Sequence, residues 1–397
     1  MAMMKTARAR MARRREPKSR TQRAVLIPVA LILAAAAVAG TIGAFRADHR
    51  RGDERPAVVA RIRVAGAPSA IAAGRHAIWV LSAATLSRID PQTNRLAGTV
   101  RIPGGLNIPG WGDAANDVAV TRDAVWVAVF GKIANGKVHG GSLVRVDPGT
   151  MQVVARLPIS GIVGLESGLG SLWANQVGVY PRGPSPDRPN KGSVYRVDPS
   201  TNEVHAVLTD AFLTPQMLVA RGFVWVYDLE SGVFERVDPG TGSVSRMGSE
   251  PLSDGALVFD SLAYADGGLW FPDRGAGMSP VTGPLSVRRL DVSTGDIRTI
   301  PLGISGTIKK TPRQIEHNVG LHLVAADANS VWLMVANQTW KGNSGARYWS
   351  GRLIRIELTT GRVQAVTIGA YAPDGVIADG DLWLADSQHH TVLRVEP

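Results

Sequence analysis

One skeleton returns seven times along the chain: an apolar residue and Trp, a short gap, Arg-apolar-acid, a tight polar turn, and a strand that ends near Gly. The tryptophans are Trp79, Trp126, Trp173, Trp225, Trp270, Trp332 and Trp383. The acids are Asp90, Asp147, Asp198, Asp238, Asp291, Glu357 and Glu396, each preceded two residues earlier by Arg88, Arg145, Arg196, Arg236, Arg289, Arg355 and Arg394. A repeated unit of about 50 residues with alternating, β-branched patterning specifies a β-propeller, because one such unit cannot bury its apolar face without neighbours. The 397 residues would otherwise suggest two or three domains, and the repeat overrides that prior.

The fold expected is all-β: seven four-stranded blades over 57–397. In the first unit the strands are expected at Ser69–Ala73, Ala77–Ser82, Thr85–Asp90 and Arg95–Ile102. The third and fourth strands meet at Asp90-Pro91-Gln92-Thr93-Asn94, where Asp accepts turn hydrogen bonds, Pro presets φ and the last residue tolerates the left-handed region. The chain stops at Arg394-Val395-Glu396-Pro397, at the third strand of a seventh unit, which leaves its outer strand missing. Val58–Gly66 resembles an outer strand and has no inner strands of its own, so it is expected to complete the last blade and close the ring.

Charge needs to be located before it is interpreted. The formal net charge is +11, but residues 1–23 hold nine Lys/Arg and only Glu16 as an acid, so the tail carries +8 and the rest +3. The propeller is close to neutral, and the basic balance is no argument for nucleic acid. Residues 24–45 carry no charge. As a helix they would span about 33 Å, enough for a bilayer core. The expectation is one transmembrane helix with 1–23 as a cytoplasmic tail, 46–56 as a linker and the propeller outside the cytoplasm. The alternative is a signal peptide cleaved after Ala37-Val38-Ala39, with a secreted propeller. There is no cysteine, so thiol chemistry and disulfides are excluded.

Seven equivalent tryptophans are a packing position, and the Arg and acid, on one side of one strand, are expected to pair locally or brace the turn. Function is expected on the face where insertions gather: Pro103–Asn116, Gly131–Gly141, Gln176–Gly192, Gly248–Asp260, Asp273–Pro284, Gly303–Gly320 and Asn337–Gly351. The three tryptophans outside the repeat, Trp111, Trp340 and Trp349, lie in these segments together with Tyr180 and Tyr348. They are binding candidates as a group, although each ring could equally pack its own loop. A second candidate is the mouth of the central channel. Counting back from each Trp places Ser69, Asp117, Gly164, Gln216, Ser261, His322 or Leu323, and Asp374 there. Asp117, Gln216 and Asp374 are the ligand-binding candidates of that ring, and too few oxygen donors converge for a confident metal site. Ile315–His322 is the one stretch with two His and an acid, Glu316, His317 and His322, a candidate general acid/base group. The partner expected is an envelope protein, peptide or glycan, with membrane contact through 24–45, no nucleic acid and no cofactor.

The Trp strand, the turn Arg88-Ile89-Asp90-Pro91-Gln92-Thr93-Asn94 and the repeat count resemble the YVTN/NHL-type seven-bladed propellers, in particular the branch containing the streptogramin B (virginiamycin B) lyases. The resemblance covers about 57–397. It implies the same fold and, as an alternative function, a lyase using His and Glu with a magnesium ion at the channel mouth. The lyases carry a Trp-Phe-Thr-Glu second strand; the nearest forms here are Trp270-Phe271-Pro272-Asp273 and Trp383-Leu384-Ala385-Asp386. Under that resemblance Glu316, His317 and His322 stand in for the catalytic set.

Overall fold

The computed structural model describes residues 55–82, 84–102, 117–134, 137–176, 192–212, 216–228, 233–249, 262–273, 283–306, 308–311, 314–341, 346–372 and 374–397. They form seven antiparallel blades in one compact unit, Arg55–Pro397. No described helix is long and apolar enough to cross a membrane, and the run 24–45 lies outside the described residues.

Blade one consists of Pro68–Gly74, Ala77–Ser82, Thr85–Asp90 and Arg95–Arg101, within a residue of the strands expected from the sequence. Ring closure also matches. Ala57–Arg63 pairs antiparallel with Thr391–Glu396, so the first strand of the propeller becomes the outer strand of blade seven. This pairing covers a sheet edge that would otherwise present unpaired N–H and C=O groups.

The core is split into seven apolar clusters, one for each blade interface, and each contains one repeat Trp. Trp79, for example, packs with Val118, Val125 and Val127 of the next blade. All seven rings are at most 3% exposed. Several indole N–H groups donate to the end of their own inner strand: Trp79 to Gly74 O, Trp173 to Gly168 O, Trp225 to Ala220 O and Trp270 to Ala265 O, at 3.1–3.2 Å. The ring fills the interface while its polar edge is satisfied locally.

The Arg–acid motif divides its labour differently from the expected local ion pair. The acid does brace the turn: Asp147 Oδ1 accepts from Gly149 N and Thr150 N, and Asp238 Oδ1 from Gly240 N and Thr241 N. The Arg reaches away from it. Arg88, Arg145, Arg196, Arg355 and Arg394 lie over their repeat Trp rings at 5.2–5.9 Å. Four of them also bond the turn of the following blade: Arg88 to Pro148 O, Arg145 to Asn202 Oδ1, Arg196 to Pro239 O, and Arg394 to Pro91 O and Asn94 Oδ1. Two residues apart on a strand, Arg and acid share a side, but the long guanidinium spans the interface and finds carbonyls fixed there by the neighbouring turn. Within the motif, among the described residues, Arg289 and Asp291 form the one ion pair, at 3.4 Å.

Two of the segments read as loops are largely strand where described. Gly303–Gly306 ends the outer strand of blade five, while Ile308–Thr311, 314–320, 337–341 and 346–351 belong to blade six. Its strands Gln314–Ala326, Ser330–Lys341 and Ala346–Glu357 run 12 or 13 residues, and Ile308–Thr311 adds a fifth strand at the edge. The result is a β-arm continuous with the blade. A shorter hairpin, Lys132–Ala134 with Lys137–His139, stands in the Gly131–Gly141 insertion of blade two.

Candidate functional site: channel and arm

The seven inner strands surround a central cavity of about 630 Å³, within the range usual for small-molecule sites. Ser69, Asp117, Gly164, Leu323 and Asp374 of the expected ring line it, and in blade six Leu323 rather than His322 borders the cavity. Gln216 opens the inner strand Gln216–Ala220, whose following residues line the wall. Ser261, Trp111 and Tyr180 lie outside the described residues.

Asp117 and Asp374 are used as staples. Asp117 Oδ2 accepts from Leu165 N of blade three at 2.7 Å, while Oδ1 accepts from Val118 N. Asp374 repeats the arrangement between blades seven and one, with Ile71 N on Oδ2 and Gly375 N on Oδ1, both at 2.8 Å. Each carboxylate thereby satisfies a backbone donor at the bare edge of the neighbouring inner strand. Burial nevertheless pushes Asp117 up to about 6, against the lowering effect of its two backbone bonds.

The cavity holds one acid that the ring count missed, Glu166. It pairs across the strands with the repeat Trp173. The corresponding partners of the other six tryptophans are Ala72, Ala119, Leu218, Ala263, Ala325 and Val376. All seven positions line the cavity, and six are apolar. Burial, and then the negative charge of Asp117, raise Glu166 to about 8. A signal existed in the sequence: the residue seven before each repeat Trp reads Ala, Ala, Glu, Leu, Ala, Ala, Val.

The acid/base candidates are not gathered. Adjacent positions of a paired strand fall on opposite faces, and Glu316 and His317 are adjacent in a strand paired on both sides. They sit on the arm, beyond a register shift at Asn318/Gly320 that separates them from His322. His322 is half-buried, edge-on to the Tyr371 ring at 6.0 Å, and burial lowers it to about 4. The acids of the two lyase-like strands are also engaged. Asp273 bonds Arg288 Nε and Ser286 Oγ, both at 2.6 Å. Asp386 is fully buried, with His389 Nδ1 at 2.7 Å. Among the described residues no group of three His, Asp or Glu is placed to hold a metal. The donor set that a magnesium-dependent lyase needs is therefore not matched by these residues.

On the arm, register fixes the relation of the aromatic positions. Trp340 pairs with Ile315 and Arg347; Gln338 pairs with His317 and Trp349; Thr339 pairs with Glu316 and Tyr348. The period of two puts positions 340 and 349 on one face of the arm and position 348 on the other.

No family model matches this chain, and no curated protein matches it. The solved structures do. U3-55K is similar over 86% of this chain and 98% of its own, at 10% identity and a TM-score of 0.50. BamB from Moraxella catarrhalis is similar over 87% and 98%, at 11% identity and a TM-score of 0.50. At such identity the likeness concerns the fold alone: this chain is a seven-bladed β-propeller.

Proposed function

We propose that the chain is an extracytoplasmic binding propeller, tethered through residues 24–45, which holds a protein, peptide or envelope glycan on its insertion face. The observation that carries this reading is the blade-six arm. Propeller turns on the opposite face are minimal, such as Arg221-Gly222 and Asp266-Gly267, each with both residues at positive φ. That geometry is the two-residue type I′ hairpin, which projects nothing. On the insertion face the same scaffold builds a paired sheet whose register puts positions 340 and 349, both Trp, on one face. A binding surface on paired strands is better preorganised than one on a loop, and Trp is the residue most enriched at energetic centres of interfaces.

The test is crosslinking capture from native membranes with full-length protein and two variants, Trp340→Ala/Trp349→Ala and Tyr348→Ala. Loss of two anchors of about 2 kcal/mol each weakens binding by about a thousandfold. The expected result is a partner retained by the parent, lost by the double variant and weakened less by Tyr348→Ala. Unchanged capture by a folded double variant sinks the proposal.

A further inference from the structure

The unexplained group in this propeller is Glu166. Every other residue facing its repeat Trp across the inner strand pair is Ala, Leu or Val. Glu166 is half-buried in the channel wall and borders the cavity. It makes no hydrogen bond or ion pair with any described residue. Its neighbour Asp117 differs in kind, since both oxygens of that carboxylate are taken by backbone N–H groups. A carboxyl without a partner in such a place opposes folding. Packing does not account for it either, because Ala or Leu serves at the equivalent site in other blades.

We propose that the central channel is a binding site for a small organic cation, a primary ammonium or guanidinium group, with Glu166 as its counter-ion and Asp117 adding negative field. Shape and charge both favour this class. The cavity of about 630 Å³ accommodates a small molecule. Its apolar wall of Ala72, Ala119, Leu218, Ala263 and Val376 suits a hydrocarbon body. A divalent metal is disfavoured by donor number: one free carboxylate falls far short of the six to eight oxygens calcium takes. Among the described residues the titratable groups lining the cavity are Asp117 from blade two, Glu166 from blade three, Arg221 from blade four, Tyr264 from blade five and Asp374 from blade seven; the described linings of blades one and six contribute none. Three acids against one Arg leave the cavity acidic.

The charge state makes the site pH-dependent. With Glu166 at about 8, the free protein carries the proton at neutral pH, and an entering cation must displace it. Affinity for a cation should rise about tenfold per pH unit toward 8 and level off above it. A neutral ligand of the same shape should show no such slope. Such an ammonium is carried by a free amine or by a lysine side chain of a bound peptide; the chemistry is shared, and the two sources are separable by probe.

The experiment is calorimetric and NMR titration of full-length protein in detergent micelles with 1-aminopentane, 1-pentanol and a capped lysine amide at pH 6, 7, 8 and 9. The expected result is amine binding that strengthens at least tenfold from pH 6 to 8, with pentanol weaker and flat in pH. Binding of aminopentane without the lysine amide identifies a free amine as the source; the reverse identifies a side chain. Glu166→Gln, isosteric with the protonated form, should abolish the slope and reduce amine affinity at pH 8 at least tenfold. Equal binding of amine and alcohol by the parent protein, or no binding of either cation, overturns the proposal without reference to any variant. Both results are independent of the arm, so this site and the insertion-face reading can fail separately.

Discussion

Arg394 shows how much of this fold rests on single side chains that join blades. Its guanidinium lies over Trp383 at 5.2 Å, bonds Asp381 through Nε at 2.6 Å, and reaches Pro91 O and Asn94 Oδ1 of blade one. The side chain is 22% exposed and Asp381 only 13%, so removing the Arg strands a mostly covered acid. Arg394→Ala is expected to lower stability by about 2 kcal/mol, read from the denaturant midpoint. Arg394→Lys should recover little, because one ammonium cannot stack on the indole and serve three acceptors at once. Glu166 acts in the opposite sense. A carboxyl near 8 in the folded chain and about 4.3 unfolded takes up a proton from solvent on folding at a pH between those two values. The stability this linkage provides is complete below about pH 4 and lost as pH rises through about 8. Allowing for contact with channel water, the loss is about 2 kcal/mol. Glu166→Gln should therefore gain on the parent by about that much between pH 4 and pH 9 in urea unfolding. A constant difference across that range would mean that Glu166 titrates normally. Stability gained with cation binding lost is the pattern expected of a functional residue.

At the scale of the element, what could be read in the sequence was whatever depends on neighbours along the chain. Strand limits in blade one came out within a residue because alternation and the Asp-Pro-x-Thr-Asn turn are local signals. Asn94, Asn202, Gly242, Gly295 and Gly361 all take the positive φ that the turn chemistry required. Met151 takes the same place at φ 57, where nothing in its type foretells it. The arm was hidden for the converse reason. Asn337–Gly351 is rich in Asn, Gly and Ser, which read as loop. The strand state of 337–341 is conferred by pairing with 314–318 on one side and with 346–350 on the other. The Arg bridges were hidden by sequence distance: Arg88 meets Pro148 sixty residues away, and Arg196 meets Pro239 forty-three away. Glu166 was legible only after aligning the position opposite each Trp, because a lone Glu inside a short strand looks like a solvent-facing residue.

For the propeller as a whole the decisive contact is the one between its first strand and its last. The strand Ala57–Arg63 shares six register pairs with Thr391–Glu396 and brings Ile62 and, just beyond, Val64 into the interface cluster of blades seven and one. In this ring every blade is clamped on both sides, so loss of closure frees two blade faces as well as one sheet edge. A cut after residue 54, just before the compact unit Arg55–Pro397, should leave a folded monomer. Deletion of residues 57–66 should not. It exposes the Thr391–Glu396 edge, removes two buried apolar side chains, and leaves the stack of Ile71, Ile78 and Val80 on Trp383 partly uncovered. Edges of this kind recruit other chains, so the expected product is a self-associated, less stable propeller. Size-exclusion chromatography with light scattering distinguishes the two truncations directly. A synthetic peptide of residues 57–66 should restore the monomer when added in trans, because the pairing is carried by one strand with no covalent requirement. A folded, monomeric deletion variant unaffected by the peptide would show that six complete blades and a three-stranded seventh suffice to hold the ring, and would assign closure to the Arg394 bridge and the Asp374 staple instead.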